Sequence, residues 1–176
     1  MKKQAICVLA ILLATVATGC GSRTGVSSPT KAAKQTIEAE VCNDVDKLIE
    51  LIPEETLELL EEETHLTEKQ IRDKVKSKTQ EKLEKLKVKP KISGIKLKNK
   101  REEKDYSYLN KKLEKYYDVR AETAYYFDVE YTINKKFADE YNHGETKMKN
   151  EIGPIFEVDG KWYSSHVIET VGNLID

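Results

Sequence analysis

Hydrophobic residues recur at two different periods along this chain, and the change of period divides it. Ile37, Val41, Val45, Leu48 and Ile52 fall three or four residues apart, which predicts a helix from about Lys31 to Ile52 with one dry stripe. Pro53 stops it. Proline followed by Glu54 and Glu55, acids suited to the positive end of a helix dipole, predicts a short second helix to about Glu63, with Leu57 and Leu60 inward. A third helix opens on Thr67, with Gln70 three residues later to complete a capping box and Leu66 placed to staple onto Ile71. Ile71, Val75, Leu83 and Leu86 form its stripe, Lys74, Lys78, Lys82 and Lys85 its wet side, and Pro90 its limit.

Near Leu86 the period becomes two. Leu86, Val88, Pro90 and Ile92 alternate with lysines, and the phase flips after Gly94, where Ile95 and Leu97 alternate with Lys96, Lys98 and Lys100. One extra residue at Ser93-Gly94 restores a single apolar side, so a bulged strand is predicted from about Pro90 to Lys100. Tyr106 to Tyr117 returns to helical spacing. Every odd position from Val119 to Ile133 is then apolar, aromatic or Thr123, which predicts one long antiparallel strand. A polar connection through Asn142-His143-Gly144 leads to a third strand from about Glu145 to Val158. Asp159-Gly160 is a two-residue hairpin signal, and a fourth strand is predicted from Lys161 to about Thr170. That turn sets Phe156 opposite Tyr163 and turns Trp162 to the other side with Glu157.

The start of the chain follows neither period. Lys2 and Lys3 precede an apolar run from Ala5 to Val16, too short for the ~20 residues of a spanning helix, and Ala17-Thr18-Gly19-Cys20-Gly21-Ser22 follows. These residues resemble a bacterial lipoprotein signal peptide (residues 1–19), with Ala17 in place of the commoner leucine. The resemblance implies diacylglycerol on the Cys20 thiol, cleavage before Cys20 and a lipid anchor at the extracytoplasmic face of the cell membrane. Residues 20–30 lack periodicity and read as a flexible tether. An ordinary secretory cut after Gly19 is the plainer alternative.

Removing 19 of 176 residues leaves 157, enough for one domain over residues 31–176 without a metal or disulfide. Cys7 leaves with the signal and Cys20 takes the lipid, so Cys42 has no partner for an internal bridge and reads as a small buried hydrophobe. Charge is divided into blocks. Residues 37–68 hold 12 acids and one lysine, residues 69–115 hold 18 bases and 7 acids, and residues 116–176 hold 6 bases and 12 acids. Such blocks read as solvated faces of neighbouring elements that attract one another.

Three helices, a strand, a helix and three further strands make an α+β order. It is similar to the cone-shaped fold named for nuclear transport factor two, which many bacterial lipoproteins share, and Val158-Asp159-Gly160-Lys161-Trp162-Tyr163 looks like the final hairpin of those lipoproteins. The resemblance implies a curved antiparallel sheet of about four strands, with a mouth that holds small molecules, dimerises as a homodimer or docks partners. A cystatin-like sheet over one helix is the alternative. Steroid isomerases of the cone family need an acid or histidine converging with tyrosines. Of the candidates here, Asp128 has the opposite parity to Tyr125 and Tyr131, and His166 falls opposite Tyr163, so no catalytic residue and no cofactor is expected.

The remaining candidates concern binding. Tyr125, Phe127, Tyr131, Phe156 and Tyr163 are placed on the inner side of the sheet as a pocket lining, with Trp162 at the hairpin as a partner contact. Lys87, Lys89, Lys91, Lys96, Lys98 and Lys100 form a lysine side that would adhere to anionic lipid or wall polymer, or guard an edge strand from pairing. His65, His143 and the run Glu61 to Glu63 lack metal-ligand spacing, and lysines without interleaved aromatics exclude nucleic acid as a partner. The expectation is a lipid-anchored binding or scaffold module that recognises an envelope protein or small ligand. Polyanion adhesion is the alternative, and an isomerase-like enzyme a distant third.

Overall fold

Alternation over Thr123–Ile133 produces the strand against which the other elements are laid. The computed structural model describes residues 24–175; the expected signal peptide over residues 1–19, Cys20 and the first part of the expected tether lie outside the described residues. Four helices come first: α1 (Pro29–Cys42), α2 (Val45–Glu50), α3 (Glu54–Thr64) and α4 (Glu68–Glu84). Strand β1 (Ile92–Glu102), helix α5 (Tyr106–Tyr117), strand β2 (Thr123–Ile133), helix α6 (Lys135–Tyr141), strands β3 (Lys147–Val158) and β4 (Lys161–Ser164), and helix α7 (Ser165–Ile175) follow. The sheet is antiparallel in the order β1-β2-β3-β4, which leaves β1 at an edge. The class is α+β, as the order of periods implies. No helix of the described residues is long and apolar enough to cross a membrane.

Three elements differ from the sequence expectation. The single helix over residues 31–52 is two helices, because Asn43 takes the left-handed conformation (φ 55°) that ends α1 and the Asp44 carboxylate accepts from Lys47 N to cap α2. The connection before β3 contains α6, where Phe137, Ala138 and Tyr141 recur at helical spacing. The predicted fourth strand ends at Ser164, and the residues to Ile175 are helical. Val167, Ile168, Val171, Leu174 and Ile175 fall on one helical face and are buried, so the 3.6 period overrides the β-branched propensity of the stretch.

Helix α7 packs against β3 and on α4, α2 and α1. Helix α1 covers β1, β3 and β4, and α3 rests on α4 and α5. The capping box of α4 is present as read, with Thr67 and Gln70 bonding reciprocally.

Bulges set which residues share a face. The register steps from Ser93↔Thr132 to Lys96↔Glu130, which places one extra residue near Gly94 as expected. A second step, from Lys98↔Asp128 to Arg101↔Tyr126, places another at Asn99, whose φ is 44°. A third lies in β3, where Tyr125↔Ile155 is followed by Phe127↔Ile152. Gly153 supplies the room: a Cβ there would meet the Tyr125 carbonyl oxygen at 2.8 Å.

The flexible stretch expected over residues 20–30 is corrected in its second half. Thr24 and Val26 are buried, Val26 and Trp162 exchange backbone bonds of 3.1 and 2.9 Å across the outer edge of β4, and Ser28 caps α1. Burial of Val26 explains the docking, since a leaving valine would expose apolar surface worth ~1.5–3 kcal/mol.

Candidate functional site

The aromatic residues do not form one lining. Because β3 gains a residue at Gly153, Phe156 and Tyr163 pair with Ala124, whereas Trp162 and Glu157 pair with Thr123. Alternation then puts Tyr125, Phe127, Tyr131 and Trp162 on one side and Phe156 and Tyr163 on the other. The expected inner grouping of Phe156 and Tyr163 with Tyr125 is thus corrected, as is the placing of Trp162 apart from them. Phe156 and Tyr163 are buried core, with ring centroids 6.0 Å apart.

Tyr125 is the half-buried member of the first group. Its ring stacks on the Trp162 indole at 5.6 Å between centroids and 24° between planes, and Phe127 stands 6.5 Å away. Trp162, expected at the hairpin as a partner contact, is only 7% exposed. The Val26 bridge and the Tyr125 ring cover it. Above the Tyr125 ring lies the Lys100 ammonium, 3.4 Å from the centroid.

The lysine side is likewise divided. The bulge at Asn99 turns Lys100 onto the aromatic side, away from Lys96 and Lys98. On the charged side, Lys98 pairs with Glu130 at 2.7 Å, and Arg101 reaches both Asp128 and Glu151. Asn99 and Arg101 hold the Asp128 carboxyl below its usual range, and Lys98 does the same for Glu130. Lys87 pairs with Glu140 at 2.7 Å. Among the described residues, Lys89, Lys91 and Lys96 have no carboxylate at ion-pair distance, and all are exposed.

One acid–base contact escaped the sequence. Glu40 of α1 places Oε1 3.3 Å from Nε2 of His166 in α7, yet that oxygen has no hydrogen-bond partner by angle and no solvent contact. Burial raises the Glu40 carboxyl above its ordinary value, against the opposing pull of His166 and the Thr170 hydroxyl. The signal existed in the spacing: Ala33, Ile37 and Glu40 share one helical side, so the acid sits on the dry stripe. His166 also borders a hollow of about 300 Å³ between α5 and α7, with Leu109, Tyr117 and Tyr126 around it. Burial pushes both tyrosine hydroxyls up to about 12, so they stay protonated donors.

Cys42 ends α1 half-buried, and burial raises its thiol further, which makes it a poor nucleophile. His65 and His143 sit at left-handed turn positions (φ 56° and 49°), and no group of three metal-ligating side chains occurs among the described residues.

The described residues thus bring together an aromatic cluster under a lysine at one end of the sheet and a carboxylate–imidazole contact between α1 and α7. No family model, no curated protein and no solved structure matches the chain.

Proposed function

We propose that the chain is a lipid-anchored module at the extracytoplasmic face of the cell membrane. It recognises a small ligand or an envelope protein through the aromatic end of its sheet and does not transform it. The observation that carries this reading is the Tyr125–Trp162 stack, a buried indole under a half-buried tyrosine ring, placed beside Val26 and its backbone bridge to Trp162. Four helices ahead of a four-stranded antiparallel sheet also support the cone-shaped resemblance over the cystatin-like one.

Two measurements test the proposal. Mass spectrometry of the processed N-terminus is expected to find diacylglycerol on Cys20, with residues 1–19 removed. Cross-linking in detergent-solubilised envelopes is expected to yield an adduct that Tyr125→Ala abolishes while the far-UV spectrum stays unchanged. An intact leader in the cytosol with a free Cys20 thiol overturns the anchor, and an adduct indifferent to Tyr125→Ala overturns the surface.

Exposed Lys89, Lys91 and Lys96 beside an edge strand favour the second reading, adhesion to anionic lipid or wall polymer. It draws less support than the sequence suggested, because Lys87 and Lys98 already hold carboxylates. Sedimentation with anionic liposomes decides it: binding unchanged in the Lys96→Gln, Lys98→Gln, Lys100→Gln protein removes it.

A further inference from the structure

We infer that the ring face of half-buried Tyr125 that lies under Lys100 is a seat for a quaternary ammonium group, which the Lys100 side chain fills when no ligand is bound. The inference deepens the proposed recognition surface and rests on it.

The backbone itself builds the seat. Lys96, Lys98 and Arg101 belong to the charged side of β1, and Lys100 would join the alternation of Lys96 and Lys98 in a regular strand. The extra residue at Asn99 diverts it. Asn99 holds φ at 44°, and its side-chain amide donates to Asp128 at 2.6 Å, so the bulge is fixed from the charged side while Lys100 is delivered to the other. The ammonium then stands 3.4 Å above the ring centroid, within the range where the negative face of an aromatic ring attracts a cation.

The platform beneath is rigid. Tyr125 stacks on Trp162, and Trp162 is tied by both its backbone groups to Val26. Glu102 pairs across the strands with Tyr125, and its carboxylate accepts from the Tyr106 hydroxyl at 3.3 Å, so negative charge lies at the border of the ring. An aromatic face with a neighbouring carboxylate is the chemistry that recognises organic cations.

Lys100 is a weak occupant. Among the described residues it has no carboxylate partner, it is exposed, and holding its chain in one rotamer opposes the attraction. A primary ammonium is also strongly hydrated, which favours its return to water. A quaternary ammonium carries the same charge on methyl groups with a looser hydration shell, and so gains more from the ring and loses less from solvent. The ligand class follows from that difference. It is shared by free choline-like solutes and by choline headgroups.

The chain has one tryptophan, which lies in the platform and reports on it directly. Full-length protein reconstituted in phosphatidylglycerol vesicles is titrated with choline chloride against sodium chloride of equal ionic strength, with Trp162 fluorescence as the readout. A saturable, choline-specific change is expected, and Lys100→Met should tighten it about three- to five-fold, the exchange value of an exposed cation–π contact of ~0.6–1 kcal/mol. Tyr125→Leu should remove the response, and Tyr125→Phe should keep it, which separates loss of the seat from loss of the fold.

Reconstitution in phosphatidylcholine vesicles distinguishes the source. A signal already shifted there and insensitive to added choline assigns the headgroup; a signal that choline still titrates assigns the free cation. Equal responses to choline and sodium, or no tightening in Lys100→Met, overturn the seat. A Tyr125-dependent envelope adduct that survives either result leaves the broader recognition surface standing.

Discussion

Asn110 offers the sharpest test of how α5 is held to the connection that leads into β2. It is 7% exposed, and its amide makes two bonds to one backbone residue: Ala121 N donates to Oδ1 at 2.8 Å, and Nδ2 donates to the Ala121 carbonyl at 3.2 Å. Ala121 is itself buried, so Asn110→Ala leaves a donor and an acceptor without partners and without water. Each orphaned group costs about 1–3 kcal/mol, and a total loss of about 2–6 kcal/mol is expected, a large share of the ~5–15 kcal/mol that holds a domain of this kind. At a urea slope of about 2 kcal/mol/M, unfolding reads it as a midpoint lowered by about 1–3 M at unchanged slope. Asn110→Asp refines the test. The acid keeps an acceptor for Ala121 N but turns a second oxygen on the Ala121 carbonyl, so the loss should be as large at pH 7 and shrink where the acid is protonated. A midpoint shift below about 0.3 M for Asn110→Ala would show that water or a shifted backbone satisfies Ala121, and the two bonds would then not be what docks α5.

Gly25→Ala introduces a Cβ 2.7 Å from Lys161 Cβ at a φ of 85°, and should cost about 1–3 kcal/mol while exposing the Val26 and Trp162 amides to faster hydrogen exchange; unchanged protection refutes it. Phe156→Ala empties a fully buried site and should lower stability by about 3–5 kcal/mol in urea unfolding. Glu40→Gln tests the buried acid. Because the folded carboxyl titrates above the ordinary 4.5, the native state holds its proton longer than the unfolded chain, and stability falls as pH rises from that value through the folded one. The glutamine variant does not titrate, so it should melt above the wild type at pH 7.5 and approach it near pH 4; a lower melting temperature at pH 7.5 would show that the His166 attraction outweighs burial.

What the sequence disclosed depended on whether the deciding interaction was local. The Thr67 capping box, the Gly94 bulge and the Asp159-Gly160 turn are written in adjacent residues, and all three are present. Asn43-Asp44 was also local, a helix stop followed by a helix start, but the unbroken stripe through Val41 and Val45 concealed it. The bulges at Asn99 and Gly153 are a different matter. Each is fixed by a neighbouring strand, through Asp128 for one and the Tyr125 carbonyl for the other, and each reverses the parity of everything beyond it. That is why Lys100, Phe156, Trp162 and Tyr163 exchanged sides. Val167, Ile168, Thr170 and Val171 satisfied β propensity one by one, the stretch from Ser165 to Ile175 satisfied helical periodicity as a group, and burial favoured the group.

Charge along the chain acquires a physical meaning once the faces are known. The basic block from residue 69 to 115 sends Arg72 to Asp46 in the acidic block before it, and Lys87, Lys98, Arg101 and Lys112 to Glu140, Glu130, Asp128 and Glu169 in the block after it. The blocks are thus arranged to meet across element boundaries, and exposed pairs of this kind favour register and partner choice more than stability. Lysine in an edge strand with two bulges also denies a flat template to another chain. Lys100 stands outside this scheme. Alone among the lysines of β1 it is turned from the carboxylates to an aromatic ring, so the pairing that explains its neighbours gives it no role. A cation that can be exchanged at Tyr125 accounts for that placement, and, on the proposal that Cys20 carries the lipid, the four residues from Cys20 to Thr24 span at most about 14 Å between anchor and seat.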